Sequence, residues 1–536
     1  MRTPEPISSR TSEVARLDHN WQVFDALVRR AERLVRRGRD ERAAVAAMTA
    51  ATFAWCNPSG VFASGALEDV LAELGARLPE PARPVVARVP GARPRVLHVV
   101  TQTYGTGGHT QMLANWLRLD TARDHHVCLT GQGDRDVPEK LTDVLGSAAA
   151  LVRLDARHRR LVDRAAELRD LARAHDHVVL HVHPNDVVAS IALAPRTEGR
   201  PEVLLVNHAD HVFWVGGAAA DRIVNLRQSG ARLNVERRGV PEARNAFVVR
   251  PLQLREREHP RREARAALGI AEDAVVVASA ADTYKYAAAG GETLLDILLP
   301  AIREVPGAEL HVAGPAPDGA WSVLAEEGLG RAWGLLPDVH TFLEAADVYV
   351  DSYPFSSLTS MLEAASMGTP VLTLRAGGDE LGVLGADTPE LDDDLLVARS
   401  GEELAAEVTR LLRDSPARDE LGAATGAAVH RSHGDGAWVE AVGKVLDAPP
   451  ASGPASAPGR AVRRTGELDR RLLLMMANGV GQGLAGTLDT MSAQLSWPRR
   501  VETAARLART GTARPALLLP AGAARRVRRA LARARR

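Results

Sequence analysis

With 536 residues the chain is too long for one compact core, and two to four domains are expected at roughly 100–200 residues each. Its 67 basic and 67 acidic residues cancel, and 45% apolar with 25% charged residues is the make-up of a globular protein, which argues against nucleic acid as a partner. Cys56 and Cys128 give no basis for a disulfide framework, and no N-terminal apolar core or run of about 18 apolar residues marks a leader or membrane span, so a cytoplasmic setting is expected.

Residues 1–80 read as helical. Trp21, Phe24, Leu27, Val28, Ala31, Leu34 and Val35 recur at helix spacing, an alanine-rich stretch follows over 42–53, and Leu67, Val70, Leu71 and Leu74 form a third apolar stripe. A small docking module fits this segment. A helical-repeat unit that binds a protein is the alternative, though no clean period is visible. A proline-rich linker, 79–94, separates it from the next unit.

From Val96 the pattern changes to short apolar runs separated by helical stretches, the signature of a parallel sheet covered on both faces. This predicts an α/β protein with one Rossmann-like doubly wound domain over 95–251. After a charged connection a second such series runs over 265–447. Residues 448–460 form a low-complexity linker, and 461–536 an Arg-rich tail. From Arg460 to Arg536, 17 arginines stand against 4 acids. The tail reads as a solvated segment; contact with an anionic membrane surface, at the inner face of the membrane, is the second reading.

The most informative stretch is DVYVDSYPFSSLTSMLEAASMGTPVLTL, from Asp347. A strand leads into a turn with Pro354, then hydroxyls at Ser356, Ser357, Thr359 and Ser360, then a helix. Free N–H groups and the helix dipole at such a start favour an anion, and a diphosphate fits. Glu363 lies four residues after Thr359 on the same helix face, where a carboxylate can accept from ribose hydroxyls. The competing reading makes Ser360 and Glu363 a capping box. Lys285 is one of three lysines, and it falls in the loop after the second domain's first strand, at the same sheet edge. An ammonium there can neutralise a leaving diphosphate without a metal.

In the first domain, Gly105, Gly107 and Gly108 allow close backbone approach, and His109 opens the next helix as a candidate base. Later strand ends carry His181, His183, Asn185 and Asp186, then Asn207, His208, Asp210 and His211. His208 and Asp210 form a second candidate base set. No metal is expected, because nothing supplies a third and fourth ligand. Asp392 to Asp394 read as a solvated loop.

These features together resemble the GT-B glycosyltransferases. Asp347 to Leu374 is most similar to the protein O-GlcNAc transferase and bacterial cytoplasmic N-glycosyltransferase family. The resemblance implies that Thr359, Ser360 and Lys285 contact the diphosphate, that Glu363 contacts the ribose, and that His109 lies beside donor and acceptor. The chain departs from the family at Ser357, where glycine is usual, and at Leu358, where histidine is usual. The large retaining GT-B family has a glutamate where this chain has Phe355, which favours an inverting displacement.

The expected activity is therefore transfer of a hexosyl or N-acetylhexosaminyl group from a nucleotide-sugar donor, a UDP-sugar, used as co-substrate with no other cofactor. The acceptor is left open among protein, glycan and small molecule. A nucleotide-sugar epimerase of the same fold and a non-catalytic nucleotide-sugar-binding scaffold are the rival readings.

Overall fold

The structure is a computed structural model that describes residues 10–83, 91–105, 108–195, 199–250, 252, 254–287, 291–336, 339–449, 462–479 and 483–491, with 497, 500, 501, 504 and 505. Three helices open the chain: α1 (Arg10–Arg36), α2 (Asp40–Cys56) and α3 (Gly65–Ala76). Small alanine side chains let α2 lie buried at nearly every position from Ala43 to Ala54. Ser64 caps α3 by accepting from the Leu67 N–H. The helices are fastened to the domain that follows them. Phe24 meets Phe213 edge-on at 5.2 Å, and buried Glu68 accepts from the N–H groups of Gly216, Gly217 and Ala218.

The first sheet contains β1 (Arg95–Val100), β2 (Asp124–Leu129), β3 (Leu151–Arg153), β4 (His177–His181), β5 (Glu202–Asn207), β6 (Arg222–Asn225) and β7 (Asn245–Phe247). Its order is β3-β2-β1-β4-β5-β6-β7, all parallel. The second contains β8 (Val275–Ala280), β9 (Ala308–Ala313), β10 (Gly330–Ala332), β11 (Val348–Val350), β12 (Val371–Leu374) and β13 (Leu396–Ala398). Its order is β10-β9-β8-β11-β12-β13, again parallel. In each sheet the strand order reverses beside the first strand. The loops leaving β1 and β4, and those leaving β8 and β11, therefore open a crevice at the carboxyl edge.

Two segments depart from the linear division expected from the sequence. The helix Asp435–Leu446, placed in the second domain over 265–447, covers the first sheet instead. Its Trp438 is fully buried with its ring 5.4 Å from that of Trp116, and Val442, Val445 and Leu446 share a core with Val96 and Val179. Periodicity reveals that a helix has an apolar face but not which sheet it covers. The tail, read over 461–536 as solvated, begins with two packed helices, Glu467–Gly479 and Gly483–Thr490. Leu468, Leu472, Leu473 and Met475 are buried, and Asp469 pairs with buried Arg237 at 2.8 Å. A charge count over the whole tail hides those apolar positions. The Arg-rich end beyond residue 505 lies outside the described residues, and with it the expectation of membrane contact. Among the described residues no helix is long and apolar enough to cross a membrane.

Candidate active site

β11 delivers Asp351 into the polar turn. Its Oδ1 accepts from the Ser352 and Ser357 N–H groups at 2.9 and 2.8 Å and from Ser357 Oγ at 2.7 Å, while Oδ2 accepts from Ser356 Oγ. Ser357, expected to bind donor, therefore spends its hydroxyl on Asp351. The turn leaves Leu358 at φ 48°, a conformation that bulky side chains rarely adopt. The helix Thr359–Ser366 then starts with no side-chain cap. Ser360 and Glu363 do not form a capping box; the Thr359 N–H turns back to the Ser357 carbonyl at 2.5 Å, and the N–H groups of Ser360 and Met361 have no acceptor among the described residues, which leaves them open to an anion. Glu363 lies one turn on, and burial pushes its carboxyl up to about 7 against the opposing charge of Arg255.

Lys285 sits in the short turn Thr283–Tyr286 that follows β8. Its Nζ donates to the Ser356 carbonyl at 2.9 Å and stands 4.8 Å from the centre of the Phe355 ring. Burial lowers its ammonium to about 8, with Asp351 pulling the other way. Lys285, Thr359, Ser360 and Glu363 line a cleft of about 670 Å³ that Gly108 and His208 close from the first domain. That volume suits a nucleotide-sized ligand.

The two candidate bases have defined tautomers. His109 Nε2 is 2.9 Å from the His181 carbonyl, so the proton resides there; Nδ1 keeps a lone pair, buried and with no hydrogen-bond partner among the described residues. His208 Nδ1 is 3.2 Å from the Val206 carbonyl, which leaves Nε2 as its acceptor. Their ring centroids are 4.5 Å apart. Burial depresses both to about 3, with neighbouring histidines adding to the shift, so both are neutral at physiological pH. Gly107 lies outside the described residues.

Asp210, expected beside His208 in a base set, is buried and committed elsewhere. Its Oδ2 accepts from Arg227 Nε at 2.9 Å, and its Oδ1 is taken by Arg227 Nη2, with His211 Nδ1 at 3.5 Å. Burial alone would raise its pKa, but Arg227 and His211 hold it far below the usual carboxylate range. Arg227 in turn donates to the Gly385 carbonyl of the second domain at 3.2 Å. Asp186 is likewise structural, capping the helix Val187–Leu193.

Sequence reasoning missed Arg250. It lies in the connection between the sheets, lines the cleft and donates from Nη1 to Thr359 Oγ1 at 3.3 Å, while its buried Nε has no hydrogen-bond partner among the described residues. Burial lowers its guanidinium to about 10, and Arg227 adds to that. Where only three of 67 basic residues are lysines, one more arginine carries no signal in the sequence.

Two doubly wound parallel-sheet domains facing across such a crevice define the GT-B class. A Rickettsia africae glycosyltransferase has the same fold, at 8% identity and a TM-score of 0.50 over 66% of this chain and 98% of that one. Residues 274–414, the greater part of the second domain, match the family of glycosyl transferases group 1, so this domain is a glycosyltransferase domain of the GT-B type. Anabaena Alr3699/HepE, solved with UDP and glucose, is similar at 14% identity and a TM-score of 0.48 over 66% of this chain and 99% of that one. An O-GlcNAc transferase from Thermobaculum terrenum is similar at 17% identity and a TM-score of 0.48, over 82% of this chain and 87% of that one. No curated protein matches the chain.

Proposed function

We propose that the protein transfers a sugar from a UDP-sugar to an acceptor held over the first domain, by a single inverting displacement that needs no metal. The observation that carries this reading is convergence: the Lys285 ammonium, the Arg250 guanidinium and the uncapped first turn at Thr359 and Ser360 all face one cleft. Two fixed cations and a helix start match the charge of a diphosphate. The choice of UDP follows the resemblance of Asp347 to Leu374.

As the anomeric C–O bond breaks, negative charge grows on the leaving phosphate oxygen, where Lys285 and Arg250 meet it. Glu363, ionised, accepts from the ribose hydroxyls. The acceptor hydroxyl forms the new bond and gives its proton to His208 Nε2, with His109 packed beside it. A bound diphosphate raises the basicity of these neutral imidazoles through its charge. Asp210 positions Arg227 and does not touch substrate. Phe355 in place of a carboxylate favours one displacement over a retaining route.

The test is a panel of UDP-, GDP- and dTDP-sugars assayed with chelator present. UDP-sugar turnover is expected, with Lys285→Met lowering kcat by roughly 10²–10³ and NMR of the product showing an inverted anomeric centre. Failure to bind any UDP-sugar sinks the donor assignment, and a retained configuration sinks the single displacement.

A further inference from the structure

A row of rings leads away from the cleft along the carboxyl edge of the first sheet. Between ring centroids, His208 is 4.5 Å from His109, His109 is 6.0 Å from His183, and His183 is 5.9 Å from Trp55. Tyr104 flanks the row, near-parallel to His183 at 6.0 Å and 17°, and the Arg135 guanidinium lies 4.8 Å from the centre of the Tyr104 ring. All five aromatic residues are half-buried, so each is supported from behind and keeps part of its surface open.

The rings come from distant parts of the sequence. Tyr104 follows β1, His183 follows β4, and His208 follows β5. Trp55 closes α2, which is pinned over this edge by Asn185 Nδ2 donating to Thr52 Oγ1 at 2.8 Å. Burial lowers His183 to about 3, as it does His109 and His208, so the imidazoles present neutral faces. The lining thus combines flat apolar faces with hydrogen-bonding edges: ring nitrogens, an indole N–H and, beside the row on Tyr104, a guanidinium.

Building on the donor cleft proposed above, we infer that this row is the acceptor subsite and that it takes a saccharide chain, with the N-terminal helices supplying its far end through Trp55. A pyranose has an apolar C–H face and a rim of hydroxyls, and it lies flat on an aromatic ring while its rim reaches polar edges. An extended peptide bound by strand addition would need a free strand edge. Tyr104, His183 and His208 stand instead past the ends of β1, β4 and β5, all interior strands of the sheet. The acceptor hydroxyl sits at His208, where its oxygen displaces the diphosphate from the anomeric carbon and its proton passes to His208 Nε2. The rest of the saccharide runs over His183 toward Trp55.

The experiment uses the full chain, with and without UDP. Linear tetrasaccharides of glucose, galactose, mannose and N-acetylglucosamine are titrated by saturation-transfer NMR, beside a pool of Ser-, Thr- and Asn-containing peptides. At least one tetrasaccharide is expected to bind. Trp55→Ala should weaken it by roughly tenfold, the scale of one lost aromatic stack, and Trp55→Phe should restore most of the loss. Tyr104→Ala provides a second reading should Trp55→Ala fail to fold. The UDP Kd is followed in parallel, because a merely structural role for Trp55 would move both ligands together. Absence of saccharide binding, binding indifferent to both alanine variants, or capture of peptides in place of saccharides overturns the inference. Failure to bind UDP with saccharide binding intact counts against the donor reading alone.

Discussion

Glu363 and Lys285 both line the cleft, and burial moves both toward neutrality, the carboxyl up to about 7 and the ammonium down to about 8. His109 and His208, near 3, do not titrate in that range. A UDP-sugar, unlike UDP, carries no phosphate that titrates there either, so its affinity reports on the two side chains. The carboxyl must lose its proton to accept from ribose, so affinity rises as pH climbs through about 7. The ammonium must keep its proton to hold the diphosphate, so affinity falls as pH climbs through about 8. Each unit beyond either limit costs about 1.4 kcal/mol, a factor of ten. A plateau between the two values is expected, with roughly tenfold weaker binding at pH 6 and again at pH 9. Isothermal titration of a UDP-sugar across this range measures it. Glu363→Gln should erase the acid limb alone, and Lys285→Met the alkaline limb alone. A flat wild-type profile, or an acid limb that survives Glu363→Gln, refutes the assignment.

The same glutamate should limit stability. Its folded value lies above the ordinary value of 4.5, so ionising it in the folded chain costs stability, fully so above about 7. Glu363→Gln should therefore raise the melting temperature at pH 8, by an amount worth on the order of 2–3 kcal/mol, and most of that gain should vanish by pH 5; scanning calorimetry at the two pH values decides. Arg250→Met should weaken UDP-sugar binding at least tenfold, about the worth of one charge-assisted hydrogen bond, with Arg250→Lys recovering only part because an ammonium lacks the planar fork. Unchanged affinity removes Arg250 from the site. Glu68→Ala strands the buried N–H groups of Gly216 and Gly217 and the half-buried one of Ala218. It should lower unfolding free energy by about 3 kcal/mol or more, read from the denaturant midpoint, and an unmoved midpoint would show that the N-terminal helices are not held by this contact.

Much of the cleft was legible because strand–turn–helix grammar is local. The hydroxyls before the helix Thr359–Ser366, and Lys285 after β8, stand at strand ends, and in a parallel sheet all strand ends of one kind share one edge. Side-chain commitments were not legible. Ser357 and Thr359 are similar hydroxyls two residues apart, yet Asp351 takes the first and leaves the second facing Arg250. Asp210 follows a strand as a catalytic carboxylate could, but Arg227, 17 residues later, claims both of its oxygens.

The sequence by itself determined two doubly wound sheets, an N-terminal helical segment and a hydroxyl-rich turn between a strand and a helix start, because period, turn chemistry and helix starts depend on neighbours a few residues away. Only the tertiary structure decided that Asp435–Leu446 returns to the first sheet, that Glu467–Gly479 packs, and that Trp55 joins the histidine row. Those outcomes depend on which apolar faces meet, and an apolar stripe records that it needs a partner without naming one.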